Sequence, residues 1–169
     1  MTPLSLDAPR FENGKPMLIA GLRGHFTTAT LAGIPAQWER LISYGNVPGG
    51  NIPGGNIPGT LGFVHYGLCF NMSNGIDYLC GVEVSGLDGL PGEFSHVNVP
   101  AQKYAVFAHH EHVSKLRNTL EAIQRQWFPG SGHQAAQPSG GAPHFFERYG
   151  EGFDPRAGMG DIEVWVPIS

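Results

Sequence analysis

The feature that most constrains this 169-residue chain is an order of segments that occurs twice. Apolar residues in every second position predict strands, and apolar residues three or four positions apart predict helices. In both halves of the chain these patterns give strand, helix, strand, strand. We therefore predict an α+β fold of tandem pseudo-symmetric β-α-β-β repeats, with antiparallel sheets and one main helix each. Three pairs of short motifs support the repeat: Gly24-His-Phe-Thr27 with Glu111-His-Val-Ser114, Trp38 with Trp127, and Gly81-Val-Glu-Val84 with Asp161-Ile-Glu-Val164.

We expect one domain over residues 1–169, with halves at approximately 11–88 and 93–169. Ser114 is predicted to cap the second helix and Pro129 to end it. Residues 46–60 repeat a Pro-Gly-Gly-Asn unit, which predicts a surface loop, and residues 128–143 predict another. The predicted strands are 15–23, 64–71, 78–85, 96–99, 103–109, 145–150 and 162–168, and the predicted helices are 35–43 and 114–127.

Composition excludes several classes of protein. A net charge of −4 with ten Lys and Arg residues argues against a nucleic-acid partner, because such a surface needs dense positive charge. No run of about 18 apolar residues occurs, so we expect no membrane partner. Residues 1–10 lack the profile of a secretory signal, and two cysteines cannot build a disulfide framework. These observations predict a cytoplasmic domain.

Alternation along the strands places Glu83 and Glu163 on the sheet face away from the helices. If strands 64–71 and 78–85 pair symmetrically about residues 72–77, Tyr66 faces Glu83 and Cys69 faces Cys80. Directly opposed cysteines rarely form an unstrained disulfide, so two buried thiols are expected. A shift of one residue would reverse this facing. On the Tyr66 face the pattern also places Leu68, Phe70 and Leu79.

A carboxylate among aromatic rings suits a cationic, partly apolar ligand, since charge attraction and cation–π contacts add together. A groove between two pseudo-symmetric halves is a common place for such a site. The alternative is that a glutamate alternating with valines simply faces solvent on an open sheet.

A run of histidines, His109-His110-Glu111-His112, raises the question of a metal site. Only His110 and His112 would share a strand face, and no cysteine pair has ligand spacing, so we expect no metal. A polar junction between strand and helix explains the run equally well. The glycine-rich repeat lacks the Lys-Ser/Thr ending of a phosphate-binding loop, and no cofactor is expected. No Gly-x-Ser-x-Gly motif for a catalytic nucleophile occurs either.

Several motifs run in order along nearly the whole chain: Tyr66-Gly-Leu-Cys-Phe-Asn71, Tyr78-Leu-Cys-Gly-Val-Glu-Val84, Val99-Pro-Ala-Gln-Lys-Tyr-Ala-Val-Phe107, His112-Val-Ser114, Phe146-Glu-Arg-Tyr149, Phe153-Asp-Pro-Arg156 and Glu163-Val-Trp-Val-Pro-Ile168. Together they resemble the GyrI-like, or bacterial transcription-activator effector-binding, family. The resemblance implies a tandem β-α-β-β fold with a central cavity for small molecules, often cationic aromatic compounds. Members occur as sensing domains of AraC-type and MerR-type regulators and as free-standing proteins.

The resemblance implies that Glu163 meets the cationic ligand, with Glu83 as its pseudo-symmetric counterpart. The walls are expected from Tyr66, Phe70, Trp165 and Tyr104. No DNA-binding helices flank the motifs, so a free-standing small-molecule-binding module is expected, and the sequence sets no oligomeric state.

Two alternatives stay open. Some relatives hydrolyse cyclopropane-bearing alkylators, so a hydrolase would use Glu83, Tyr66 or Glu163 as candidate catalytic groups. A gyrase-inhibitor-like interaction protein follows from the name of the family alone.

Overall fold

The computed structural model describes residues 6–42, 44, 57–138, 141–154 and 157–169, without the side chains of Ile42 and Phe63. Within these residues eight antiparallel strands form one sheet, and the α+β fold class is confirmed. The strands are β1 Arg10–Gly14, β2 Met17–Phe26, β3 Thr60–Met72, β4 Gly75–Val84, β5 Ser95–Val99, β6 Gln102–His109, β7 Phe145–Tyr149 and β8 Ile162–Pro167, and the helices are α1 Ile34–Ile42, α2 Leu116–Ala122 and α3 Phe128–Ser131.

The strand order is β1-β6-β8-β7-β3-β4-β2-β5. Corresponding strands of the two repeats, such as β3 and β7, lie at equal distances from the centre of the sheet. Strands β3 and β7 meet in the middle of the sheet, and β4 and β8 flank them. The first strand of each half crosses over: β1 pairs with β6 of the second half, and β5 pairs with β2 of the first. The sequence pattern missed β1, because five mostly polar residues carry little strand signal.

The register at the central seam places four residues in one row across the sheet. Tyr66 on β3 lies opposite Arg148 on β7. The next residue outward from Tyr66 is Gly81, and the next outward from Arg148 is Glu163. Gly81, not Glu83, therefore lies in the same row as Glu163, and the pseudo-symmetric correspondence of the two glutamates stays a prediction.

The β3–β4 hairpin is tighter than predicted. Its strands extend to Met72 and Gly75, so only Ser73 and Asn74 form the turn. The register moves by two residues, which places Tyr66 opposite Gly81, and the predicted Tyr66–Glu83 and Cys69–Cys80 pairs are wrong. A shift of two residues preserves the side-chain facing, because strand side chains alternate with a period of two.

The two faces of the sheet carry separate apolar clusters. Val82, Val84, Ile162 and Val164 pack with helix residues on what we call the inner face, as the alternation predicts. Both cysteines are buried and free, as expected. The opposite, outer face carries a cluster that includes the predicted Tyr66, Leu68, Phe70 and Leu79 together with Tyr104, Val106 and Phe146.

The second helix begins and ends differently from the prediction. A 3₁₀ turn starts at Val113, and the side chain of His112, not Ser114, caps it by accepting a hydrogen bond from the Ser114 amide. After α2 a π-helical turn, Ile123–Trp127, leads into α3. Pro129 does not end the helix, and it lies in the first turn of α3 directly after the π-helical turn. The predicted loop 128–143 accordingly begins with a helical turn.

The predicted Pro-Gly loop lies mostly outside the described residues, of which 57–60 are its last four. In the part of the chain that is described, no helix is long and apolar enough to cross a membrane.

Candidate functional site

Four of the predicted site residues, Tyr66, Glu83, Tyr104 and Trp165, line one groove on the outer face. This outer groove has a volume of about 340 Å³ and is also bordered by the β1–β2 turn. Its floor is aromatic: Phe146 stacks on Trp165 with ring centroids 5.5 Å apart, and Tyr104 contacts Trp165 edge-on at 5.2 Å. The remaining lining residues are Glu12, Asn13, Gly14, Lys15, Pro16, Met17 and Arg148.

The other two predicted residues, Glu163 and Phe70, are not among the lining residues of this groove. Arg10 holds the Glu163 carboxylate with Nη1 2.6 Å from Oε2, and Arg148 adds a contact of 3.5 Å. Burial acts to raise the pKa of Glu163, but hydrogen bonds from Arg10 and Trp165 and the arginine charges outweigh it, so this pKa is lowered. Phe70 is buried, and the guanidinium of Arg23 lies 4.2 Å from its ring centroid.

Within the outer groove the free carboxylate is that of Glu83. It is half-buried, and no hydrogen bond or ion pair reaches it from the described residues. The charges of Glu83 and Arg148 both affect the pKa of the Tyr66 hydroxyl. Burial raises the pKa of Tyr66 most, the charge of Arg148 lowers it, and that of Glu83 raises it.

A second carboxylate, which the sequence did not single out, lies on the inner face. Glu147 on β7 is 8% exposed. The hydroxyls of Tyr78 and Tyr149 both donate to its Oε1, at 2.7 Å each. Trp38 of α1 donates from Nε1 to the Tyr78 hydroxyl at 3.1 Å and contacts the Tyr149 ring edge-on at 5.4 Å. We call these four residues the inner cluster.

The inner cluster holds a carboxylate without a counter-ion. No cation of the described chain lies within ion-pair distance of Glu147, and its Oε2 accepts no hydrogen bond from the described residues. Burial therefore raises the pKa of Glu147, although the hydrogen bonds from the two tyrosines act to lower it. An uncompensated buried carboxylate is costly, and it is relieved by a proton or by a cation.

The signal for Glu147 was present in the sequence but ambiguous. In Phe146-Glu-Arg-Tyr149, alternation puts Glu147 and Tyr149 on one face and Phe146 and Arg148 on the other. Nothing in that segment says that Tyr78 and Trp38, distant along the chain, complete the surroundings. These contacts depend on the β3–β7 seam, which the pattern of single strands does not reveal.

A glycine makes the inner cluster possible. Gly67 of β3 lies opposite Glu147, and a Cβ atom there would lie 2.1 Å from the Tyr78 hydroxyl and 2.7 Å from Glu147 Oε1. We expect Gly67→Ala to push Tyr78 off Glu147 and to lower the free energy of unfolding by about 1–3 kcal/mol. Urea unfolding measures this change, and an unchanged midpoint would contradict the tight contact.

The histidine run serves local structure. His109 is buried and bonds Thr119 Oγ1 at 2.6 Å and the carbonyl of His112 at 2.9 Å. His110 contacts Asp7 at the surface, and His112 caps the following turn. Among the described residues no three His, Cys, Asp or Glu side chains are grouped to hold a metal ion.

The comparisons with solved structures agree on the fold. SAV2435, whose structure was solved with bound tetraphenylphosphonium, matches with a TM-score of 0.68 and 18% identity over 95% of this chain and 93% of that one. The C-terminal domain of EcmrR gives a TM-score of 0.66 and 14% identity, covering 98% of this chain and 99% of that domain. The integron cassette protein VCH_CASS2 of Vibrio cholerae gives 0.63 and 16% identity, covering 97% of both chains.

Sequence comparison points the same way. The transcriptional regulator BrlR of Pseudomonas aeruginosa is 31% identical over 110 residues, which are 62% of this chain and 38% of BrlR. The chain thus matches less than two fifths of that regulator. The family model described as the GyrI-like small molecule binding domain matches residues 7–169. Because that match spans almost the whole chain, this protein belongs to the GyrI-like small-molecule-binding domain family.

Proposed function

We propose that this domain binds an organic cation with aromatic or apolar groups, and that Glu147 is the carboxylate that meets it. The observation that carries the proposal is the inner cluster itself: a buried carboxylate with aromatic rings around it, to which the described residues offer no cation and no hydrogen bond on one of its two oxygens. The tetraphenylphosphonium bound by SAV2435 supports this ligand class.

Such a ligand would compensate the buried negative charge of Glu147. A permanent cation in contact with Glu147 would compensate the charge whose burial raises the pKa of this carboxyl, and in a low-dielectric site the attraction is strong. The rings of Trp38, Tyr78 and Tyr149 each add about 0.5–2 kcal/mol where a cation lies over their faces. Trp38 is half-buried on the short helix α1, so we infer that its ring moves aside to admit the ligand.

The site and the two buried thiols suit a reducing compartment, and we place the domain in the cytoplasm. The hydrolase alternative stays a prediction. The tyrosine hydroxyls on Glu147 make the inner cluster, rather than Glu163, the better-placed group for proton transfer.

Titration calorimetry with tetraphenylphosphonium tests the proposal. Glu147→Gln removes the charge but keeps an oxygen that accepts from both tyrosines, so the fold is expected to persist. We expect its affinity to fall by about tenfold or more, the loss of one charge contact of about 1.5–3 kcal/mol.

Glu121→Gln is the matched control, because Glu121 is exposed on α2, where it contacts Arg117 at the surface. It should bind as the wild type does. Equal affinities for Glu147→Gln and the wild type would overturn the role of Glu147.

A further inference from the structure

The outer groove is separate from the inner cluster, although both are built on β7. Successive side chains of this strand point to opposite faces, so Phe146 and Arg148 line the groove while Glu147 and Tyr149 belong to the inner cluster. A molecule in one site therefore does not contact the carboxylate of the other. The groove has to be considered on its own chemistry.

The walls of the outer groove suit one aromatic ring. Tyr66 and Tyr104 both contact Phe146 edge-on, at 5.6 and 5.4 Å between ring centroids, and Phe146 stacks on Trp165. Met17 adds a flexible, polarisable side chain. A volume of about 340 Å³ lies at the small end of the range for ligand sites.

The charges of the outer groove leave one carboxylate unmatched. Glu12 is paired with Arg10 at 3.2 Å, and Arg148 is paired with Glu163 at 3.5 Å. Lys15 is exposed at the rim, where water solvates its ammonium group. Glu83 is half-buried without a partner among the described residues, so its charge remains for a ligand.

We propose that the outer groove is a second binding site, which takes a small protonated arylalkylamine with its ammonium group on Glu83 and its ring against the aromatic floor. An ammonium group carries hydrogen-bond donors that match the carboxylate, and its short alkyl chain allows the ring to reach Tyr104 and Trp165. This site differs from the inner cluster in its residues and in the face of the sheet on which it lies, so it does not depend on the proposal for Glu147.

The experiment uses 2-phenylethylamine as the probe and 2-phenylethanol as its uncharged analogue, titrated into the full chain at neutral pH. We expect saturable binding of the amine and an affinity for the alcohol that is lower by about tenfold or more. The affinity of Glu83→Gln for the amine should fall by a similar factor. Glu121→Gln should bind the amine as the wild type does.

The two sites are distinguished by crossing the variants with the ligands. Glu83→Gln should keep the wild-type affinity for tetraphenylphosphonium, and Glu147→Gln should keep it for 2-phenylethylamine. No saturable binding of the amine, or equal affinity in Glu83→Gln, would overturn the second site. Loss of amine binding in Glu147→Gln alone would also overturn it, because the amine would then occupy the inner cluster.

Discussion

Replacing Gly21 with alanine is expected to destabilise the domain severely. Gly21 on β2 lies directly opposite Gly81 on β4, and both are buried. A Cβ on Gly21 would lie 1.9 Å from the carbonyl oxygen of Cys80, and one on Gly81 would lie 2.2 Å from that of Ala20. Both obstructing atoms belong to the backbone of paired strands, so no side chain can turn away to relieve the clash.

The expected cost exceeds about 3 kcal/mol, a large part of the 5–15 kcal/mol that stabilises a typical domain. Far-UV circular dichroism and urea unfolding measure it. Gly86→Ala is the matched control, because a Cβ there meets nothing within 4 Å, and its effect should stay within about 0.5 kcal/mol. A Gly21→Ala variant that unfolds at the urea concentration of the wild type would contradict the close approach of β2 and β4.

The affinity for tetraphenylphosphonium is expected to rise with pH by up to about tenfold per pH unit until Glu147 has lost its proton, and then to level off. The ligand has no titratable group, so the dependence reports on the protein. Burial raises the pKa of Glu147 above its ordinary 4.5, and below that raised value a proton competes with the cation. Tyr78, Tyr149 and Cys69 stay protonated in this range, because burial puts their pKa values well above normal.

Calorimetry across pH, in two buffers of different ionisation enthalpy, measures both the affinity and the proton released on binding. Glu147→Gln should bind with an affinity that does not change with pH. A slope retained in that variant would assign it to another group and would contradict the role of Glu147.

The free energy of unfolding of the ligand-free domain also depends on the protonation of Glu147, but it is expected to fall as pH rises, whereas the ligand affinity rises. The folded pKa of Glu147 is raised, so the stabilisation from its bound proton is fully present below 4.5 and is lost as pH rises through the folded value.

The sequence pattern predicted side-chain facing better than pairing. Val82, Val84, Ile162 and Val164 face the helices because alternation is a property of each strand alone. The register of the hairpin depends on the length and position of its turn. The Gly75 backbone, with φ of +144°, allows a turn of only two residues, and the register differs from the predicted one by two residues.

The site was harder to predict, because its parts come from distant segments. Glu163 carried the family resemblance, yet Arg10, on the strand that the pattern missed, pairs with it across 153 positions. Glu147 lies in a quoted motif, but Tyr78, which donates to it, and Trp38, which donates to Tyr78, come from the other half of the chain. Strand periodicity contains no information about such contacts.

The central seam builds the inner cluster from unlike contributions of the two halves. Across the seam Glu147 lies opposite Gly67, and Tyr149 lies opposite His65. The second half contributes the acid and the Tyr149 phenol, while the first contributes Tyr78, Trp38 and the space at Gly67. The two halves have complementary roles here, so neither half alone nor a symmetric dimer of one half would present the same chemistry.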